Sequence, residues 1–116
     1  MPKIKDHSKE INLIRNMAKS GSLKFSKHAR QRCAERGIKI LDVVEAIKNG
    51  AFVEYQDIER DPKLMFQDSI GDPPRFFAVV TIKHNNCCLV ITTYLPDADK
   101  WELVSGNWRR KNVKRI

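Results

Sequence analysis

Long apolar runs are missing from this chain of 116 residues. No uninterrupted apolar stretch exceeds five residues, as at Phe76 to Val80, whereas crossing a bilayer takes roughly 18–20. The opening Met1-Pro2-Lys3-Ile4-Lys5-Asp6 lacks the apolar core of a secretion signal. Neither a membrane protein nor a secreted one is expected. Cysteine is scarce as well. Cys33, Cys87 and Cys88 are an odd set with two members adjacent and no Cys-x-x-Cys pair. That pattern excludes a disulfide framework and points to buried, reduced thiols in a cytoplasmic protein. His84 near Cys87 makes a single pair where a zinc site needs four ligands. The acids are scattered and none forms a ligand pair on one helix, so no metal centre and no cofactor is expected. Internal repeats and low-complexity tracts are also lacking. One domain, 1–116, is expected, long enough to bury a single core without staples.

What the chain has in surplus is positive charge. It carries 22 Lys+Arg against 14 Asp+Glu, a formal net charge of +8. Residues 1–50 hold twelve basic and five acidic side chains, residues 51–99 four and eight, and residues 100–116 six and one. Basic ends around an acidic middle suggest a polarised molecule with one surface suited to a polyanion.

Hydrophobic spacing divides the chain. Ile11, Ile14, Met17 and Ala18 predict a helix over Ser8 to Lys19, with Asp6 or Ser8 as its cap, and Gly21 stops it. Leu23-Lys24-Phe25 reads as a short extended piece. Ser26 caps a second helix, Lys27 to Arg36, which Gly37 closes. Ile40, Val43, Val44 and Ile47 mark a third, ended near Asn49 by Gly50. After residue 50 the period changes. Phe52 to Tyr55, Lys63 to Ile70, Arg75 to Lys83 and Cys87 to Tyr94 read as strands. Glu59-Arg60-Asp61-Pro62, Gly71-Asp72-Pro73-Pro74 and His84-Asn85-Asn86 read as turns. The apolarity of the last two strands places them centrally, covered on both faces. The predicted class is α+β: N-terminal helices on one face of a twisted antiparallel sheet of about four to five strands. Trp101 is expected to close the sheet edge, and Gln67 to be solvated on a sheet face. From Leu103 onward a basic tail, 103–116, carries Arg109, Arg110 and Lys111 beside Trp108. It reads either as a solvated tail or as a segment lying along a phosphate backbone, with Trp108 stacking on a base or packing on the sheet.

The second helix carries the chemistry. Ala29 and Cys33 define its buried side, and His28, Arg32 and Arg36 fall four apart on a stripe bordering it. The stripe can face a cleft between helix and sheet. Alternatively, His28 meets a carbonyl and the arginines pair with Glu35, Glu45 or the acidic middle. In the first case, His28 sits in the first turn, where the helix dipole disfavours a second positive charge and so favours a neutral general base. Arg32 and Arg36 then hold a phosphate through paired donors. Together they match metal-independent RNA cleavage, in which a ribose 2′-OH attacks the adjacent phosphorus and arginines stabilise the growing charge. Tyr94 is a candidate second catalytic group, sharing a strand face with Thr92, Val90 and Cys88 by alternation. Arg75, at the start of its strand, is an RNA-binding candidate placed to steady the leaving oxygen instead.

Ser26-x-His28-Ala29-x-x-Arg32-x-x-Glu35-Arg36-Gly37-Ile38 resembles the signature helix of a bacterial family known only as a domain of unknown function. Asn49-Gly50, the apolar strand 75–83, Val90-Ile91-Thr92-Thr93-Tyr94 and Trp101-Glu102 fit the same family in the same order. The resemblance covers roughly 23–102 and leaves out the helix 8–20 and the basic tail. It implies the compact fold of RelE- and MqsR-type ribonuclease toxins, within a class that includes barnase and colicin nucleases. It also implies a toxin-type endoribonuclease, paired with a small antitoxin, in some cases one with a zinc finger. Its positions carry over onto His28, Arg32, Glu35 and Arg36, and onto Thr92 and Tyr94. Relatives often have a histidine in the strand 75–83, where this chain has Phe76-Phe77. Two other functions fit the same surface: a non-catalytic RNA- or DNA-binding module, and an interaction domain docking an acidic protein.

Overall fold

The computed structural model describes residues 7–57 and 61–111. Three helices come first, α1 (Ser8–Lys19), α2 (Lys27–Arg36) and α3 (Ile40–Asn49), with the two-residue β1 (Lys24–Phe25) between α1 and α2. Strands β2 (Phe52–Gln56), β3 (Lys63–Gln67), β4 (Phe77–Lys83) and β5 (Cys87–Tyr94) follow, then a hairpin of β6 (Trp101–Val104) and β7 (Asn107–Arg110). The main sheet runs in the order β1-β5-β4-β3-β2. The fold is α+β, as expected, with one refinement: β1 pairs with β5 in parallel, so the sheet is mixed.

Local chemistry fixes the helix ends. Ser26 accepts from the Ala29 N–H at 2.9 Å, satisfying a donor that α2 itself leaves unpaired. Gly37 closes α2 at φ 64°, a left-handed turn that glycine adopts without steric cost. The cap of α1 differs from expectation. His7 occupies the N-cap position and makes no side-chain capping bond; Ser8 is already helical, and Asp6 lies outside the described residues. Arg15 of α1 reaches across to the end of α3, donating to the carbonyls of Ile47, Lys48 and Gly50 at 2.8–3.1 Å. A guanidinium there complements the negative end of the α3 dipole. Gly50 is required for a separate reason. A Cβ there would lie 1.9 Å from the Gln67 carbonyl oxygen, so α3 can meet β3 this closely only through glycine.

Both faces of the sheet are covered. Leu64, Phe66, Ala78, Val80, Cys88 and Val90 pack beneath the helices with Ile14, Ala29, Val43 and Ile47. Met65, Phe77, Val79 and Trp101 form a second cluster with Tyr94 and Trp108 under the β6–β7 hairpin. The segment read as a tail is thus a hairpin through residue 110, and residues 112–116 lie outside the described range. Its turn, Ser105-Gly106, has φ 53° and 84°. Positive angles at both central residues suit the twist of a two-residue hairpin. Trp101 sits against Phe77, ring centroids 4.6 Å apart.

Two further corrections concern polar groups. Gln67 is buried, not solvated: its amide donates to Gly106 and Asn107, and its oxygen accepts from the Trp108 N–H at 2.9 Å. The strand expected over Lys63 to Ile70 ends at Gln67. Asp68 explains why. Its buried carboxylate accepts from the backbone N–H groups of Ile70, Gly71 and Arg75, each at 3.0 Å. These bonds satisfy donors locally and turn the chain out of the ladder. The turn expected at Glu59-Arg60-Asp61-Pro62 has residues 59 and 60 outside the described range.

Candidate functional site

Helix α2 lies along the last part of β5. Ala29 and Cys33 are buried, and Cys33 Sγ stands 3.7 Å from Thr93 Oγ1. Ser26 ties the start of the helix to β5, donating from N to Val90 O at 2.9 Å and from Oγ to Ile91 O at 3.2 Å. This anchoring leaves His28 and Arg36 exposed and Arg32 half-exposed. Arg32 donates to Glu35 at 2.7 Å and, through Nε, to His28 Nε2 at 3.4 Å, an arrangement that uses the lone pair of that ring nitrogen. Glu35 is held below the ordinary carboxylate range by its hydrogen bonds from Arg32 and Gln31. Arg36 donates to the Thr93 carbonyl and, among the described residues, has no carboxylate within ion-pair distance.

At the Arg36 end of the helix a groove of about 610 Å³ opens between α2, the β3–β4 loop and the hairpin. Arg36, Asp72, Pro74, Arg75, Leu95 and Trp108 are among its walls. The groove joins residues that are far apart in the chain and that charge and aromaticity had marked separately. His28 is not in its lining. Eight residues before Arg36, it lies about 12 Å away along the helix axis, on the same cationic edge.

The loop behind the groove is rigidly supported. Burial alone would raise the Asp68 carboxyl, but the N–H groups of Arg75, Ile70 and Gly71 and the Arg75 guanidinium outweigh it and hold the group below its ordinary range. Gly71 has no room for a side chain: a Cβ would meet Asp68 Oδ2 at 2.6 Å and Pro73 O at 2.9 Å. Arg75 stands 3.5 Å from Asp68 and 3.8 Å from Asp42, with about half its side chain exposed. Trp108 is fixed by its indole N–H, which donates to Pro74 O at 2.8 Å.

Tyr94 lies elsewhere. The β4–β5 register shifts between Val79 and Val80: Val79 pairs with Thr92, whereas Val80 pairs with Val90. This bulge breaks the alternation that placed Tyr94 with Val90 and Cys88. Val90 and Cys88 pack under the helices, while Tyr94 packs in the second cluster against Phe77, its hydroxyl 3.6 Å from Met65 Sδ. Burial pushes its phenol up from the ordinary value. Arg109 and Arg110 are engaged within the hairpin region. Arg109 pairs with Glu102 at 2.9 Å. Arg110 makes two bonds to Glu54, at 2.7 and 3.1 Å, and lies 4.6 Å over the Trp101 ring. Lys111 is exposed. Among the described residues, no three His, Cys, Asp or Glu side chains are grouped to hold one metal ion. No helix there is long and apolar enough to cross a membrane.

The architecture defines a small α+β domain with a cationic helix edge leading into an open groove. The chain belongs to the DUF4258 family, described as a domain of unknown function, which matches residues 25–95. The match begins at the residue before the Ser26 cap and ends at Leu95, so it takes in α2, the β3–β4 loop and most of the groove. No curated protein and no solved structure matches the chain.

Proposed function

We propose that this protein is a cytoplasmic, toxin-type endoribonuclease, held in check by an antitoxin, that cleaves RNA without a metal ion. The observation that carries the reading is the cationic edge of α2: the exposed His28, the half-exposed Arg32 and the exposed Arg36 lie in line and run into a groove that also holds Arg75. The resemblance of the α2 motif to a domain-of-unknown-function family, which implies a RelE- and MqsR-type toxin fold, supports it. In this mechanism Arg32 turns from His28 to the phosphate, and His28 Nε2, its lone pair freed, takes the proton of a ribose 2′-OH as that oxygen bonds to the adjacent phosphorus. The P–O5′ bond breaks, leaving a 2′,3′-cyclic phosphate, and the imidazolium returns its proton to the departing 5′-oxygen. Arg36 stabilises charge on the phosphoryl oxygens, joined by Arg32 when it exchanges Glu35 for phosphate, and Arg75 anchors a neighbouring phosphate. One histidine that accepts and returns the proton needs no second acid, which accords with Tyr94 on the opposite sheet face.

That same placement favours a second reading, a module that binds RNA and leaves it intact. Incubating the purified chain with single-stranded RNA, with and without EDTA and beside His28→Ala, separates the two. Cleavage by wild type in EDTA, lost in His28→Ala, is the expected result. Binding with no product would establish the second reading, and equal cleavage by both proteins would remove His28 from the mechanism. Growth arrest on expression of the chain alone, relieved by co-expression of an antitoxin, is the expected cellular counterpart.

A further inference from the structure

We infer that the groove beside Arg36 is a seat for one unpaired nucleotide, and that Asp72 selects guanine there. The inference takes its biological meaning from the RNA reading above, but it rests on a different observation: the composition of the groove wall. One part is apolar, formed by the exposed Pro73 and Leu95 and the half-buried Pro96 and Trp108. Another part holds two guanidiniums, Arg36 and Arg75, and between them in the chain stands the exposed carboxylate of Asp72.

Charge balance narrows the ligand. Arg75 is already flanked by Asp68 and Asp42, and Asp72 adds a further negative group, so the groove is not a simple anion trap. A free phosphate would use Arg36 and meet Asp72 unfavourably; an acidic peptide would do the same. A nucleotide meets all three kinds of wall. Its phosphate lies on Arg36 and the unengaged donors of Arg75, its base stacks against the indole and proline surfaces, and an N–H edge faces Asp72. A carboxylate only accepts hydrogen bonds and offers two oxygens. Guanine is the common base whose Watson–Crick edge offers two adjacent N–H donors, N1–H and N2–H, to match them. The space of about 610 Å³ suits a small ligand, and a base can enter only if unpaired and unstacked. The Asp68 bonds and the crowded Gly71 hold the loop bearing Asp72 and Arg75 in place before a ligand arrives.

Mononucleotides test this without any scissile linkage, so the result does not depend on whether the protein cleaves RNA. The full chain is titrated with the 5′-monophosphates of guanosine, adenosine, cytidine and uridine by calorimetry, while the Trp101 and Trp108 indole N–H signals are followed by NMR. The expected result is that the guanosine nucleotide binds about 10-fold more tightly than the others and moves the Trp108 signal more than that of Trp101. In Asp72→Asn the preference disappears while binding of all four remains. Guanosine without phosphate binds more weakly than its 5′-monophosphate. Equal affinities for the four, no binding at millimolar concentration, or an unchanged preference in Asp72→Asn would each overturn the proposal. RNA cleavage by wild type alongside any of those results would leave the ribonuclease reading standing and remove only the guanine seat.

Discussion

Arg36 and Arg110 are the same residue type in two basic stretches of the chain, yet the fold uses them differently. Arg36 donates to a neutral carbonyl at the rim of an open groove, so its charge remains available to a ligand. Arg110 makes two bonds to Glu54 and covers the Trp101 ring, so its charge is committed to joining the hairpin to β2. Arg109 is likewise committed to Glu102. A count of basic residues locates both regions and cannot rank them. What separates them is where each carboxylate falls after folding, and the acidic middle of the chain supplies Glu54 to one region and Asp72 to the other.

Substitutions can break or sharpen this contrast, beginning with the largest effect. His28→Ala is expected to lower single-turnover RNA cleavage by about 10²–10⁴-fold while leaving the urea midpoint near that of wild type, because the ring is exposed. Asp68→Ala is expected to cost about 3–5 kcal/mol in urea unfolding, since three backbone N–H groups lose a buried charged acceptor. The Asp68 carboxyl is depressed in the folded state, so its stabilisation is complete above the ordinary carboxylate range. It fades as pH falls through the lower folded value, and the wild-type minus Asp68→Asn difference in stability should shrink in that acid window. Gln67→Leu is expected to cost about 2 kcal/mol and to loosen the hairpin, seen as faster hydrogen exchange at Trp108. Arg110→Ala is expected to cost at most about 1 kcal/mol, as a half-exposed pair should, and to change cleavage less than two-fold. Tyr94→Phe is expected to be the mildest, with cleavage unchanged. A large loss of cleavage there would require the opposite sheet face to take part in the reaction.

Much of the fold was legible because its signals are local. Ser26, Gly37 and the apolar spacing of α3 mark helix ends by chemistry that acts within a few residues. The features that were not legible depend on distant partners. The bulge opposite Val79 and Val80 adds one residue to β5 and reverses the faces assigned to Tyr94 and its neighbours. Gln67 looks like any solvated glutamine until the hairpin brings Asn107 and Trp108 to it. Asp68 looks like one more acid in an acidic stretch until its carboxylate is seen to gather three N–H groups. The hairpin itself left a signal that was readable: Ser105-Gly106 between short runs is a turn dipeptide. Of the site, the α2 stripe was visible from helical period alone. The groove was not, because its walls come from α2, the β3–β4 loop, β7 and the segment just after β5.

The most direct measurement is the salt dependence of binding to a short, non-cleavable single-stranded RNA for wild type, Arg36→Ala and Arg110→Ala. Each phosphate contact contributes about 0.7 to the slope of log affinity against log salt for single strands. The account predicts that the slope falls by about that amount in Arg36→Ala and stays at the wild-type value in Arg110→Ala. A slope that falls in Arg110→Ala and is unchanged in Arg36→Ala would contradict it.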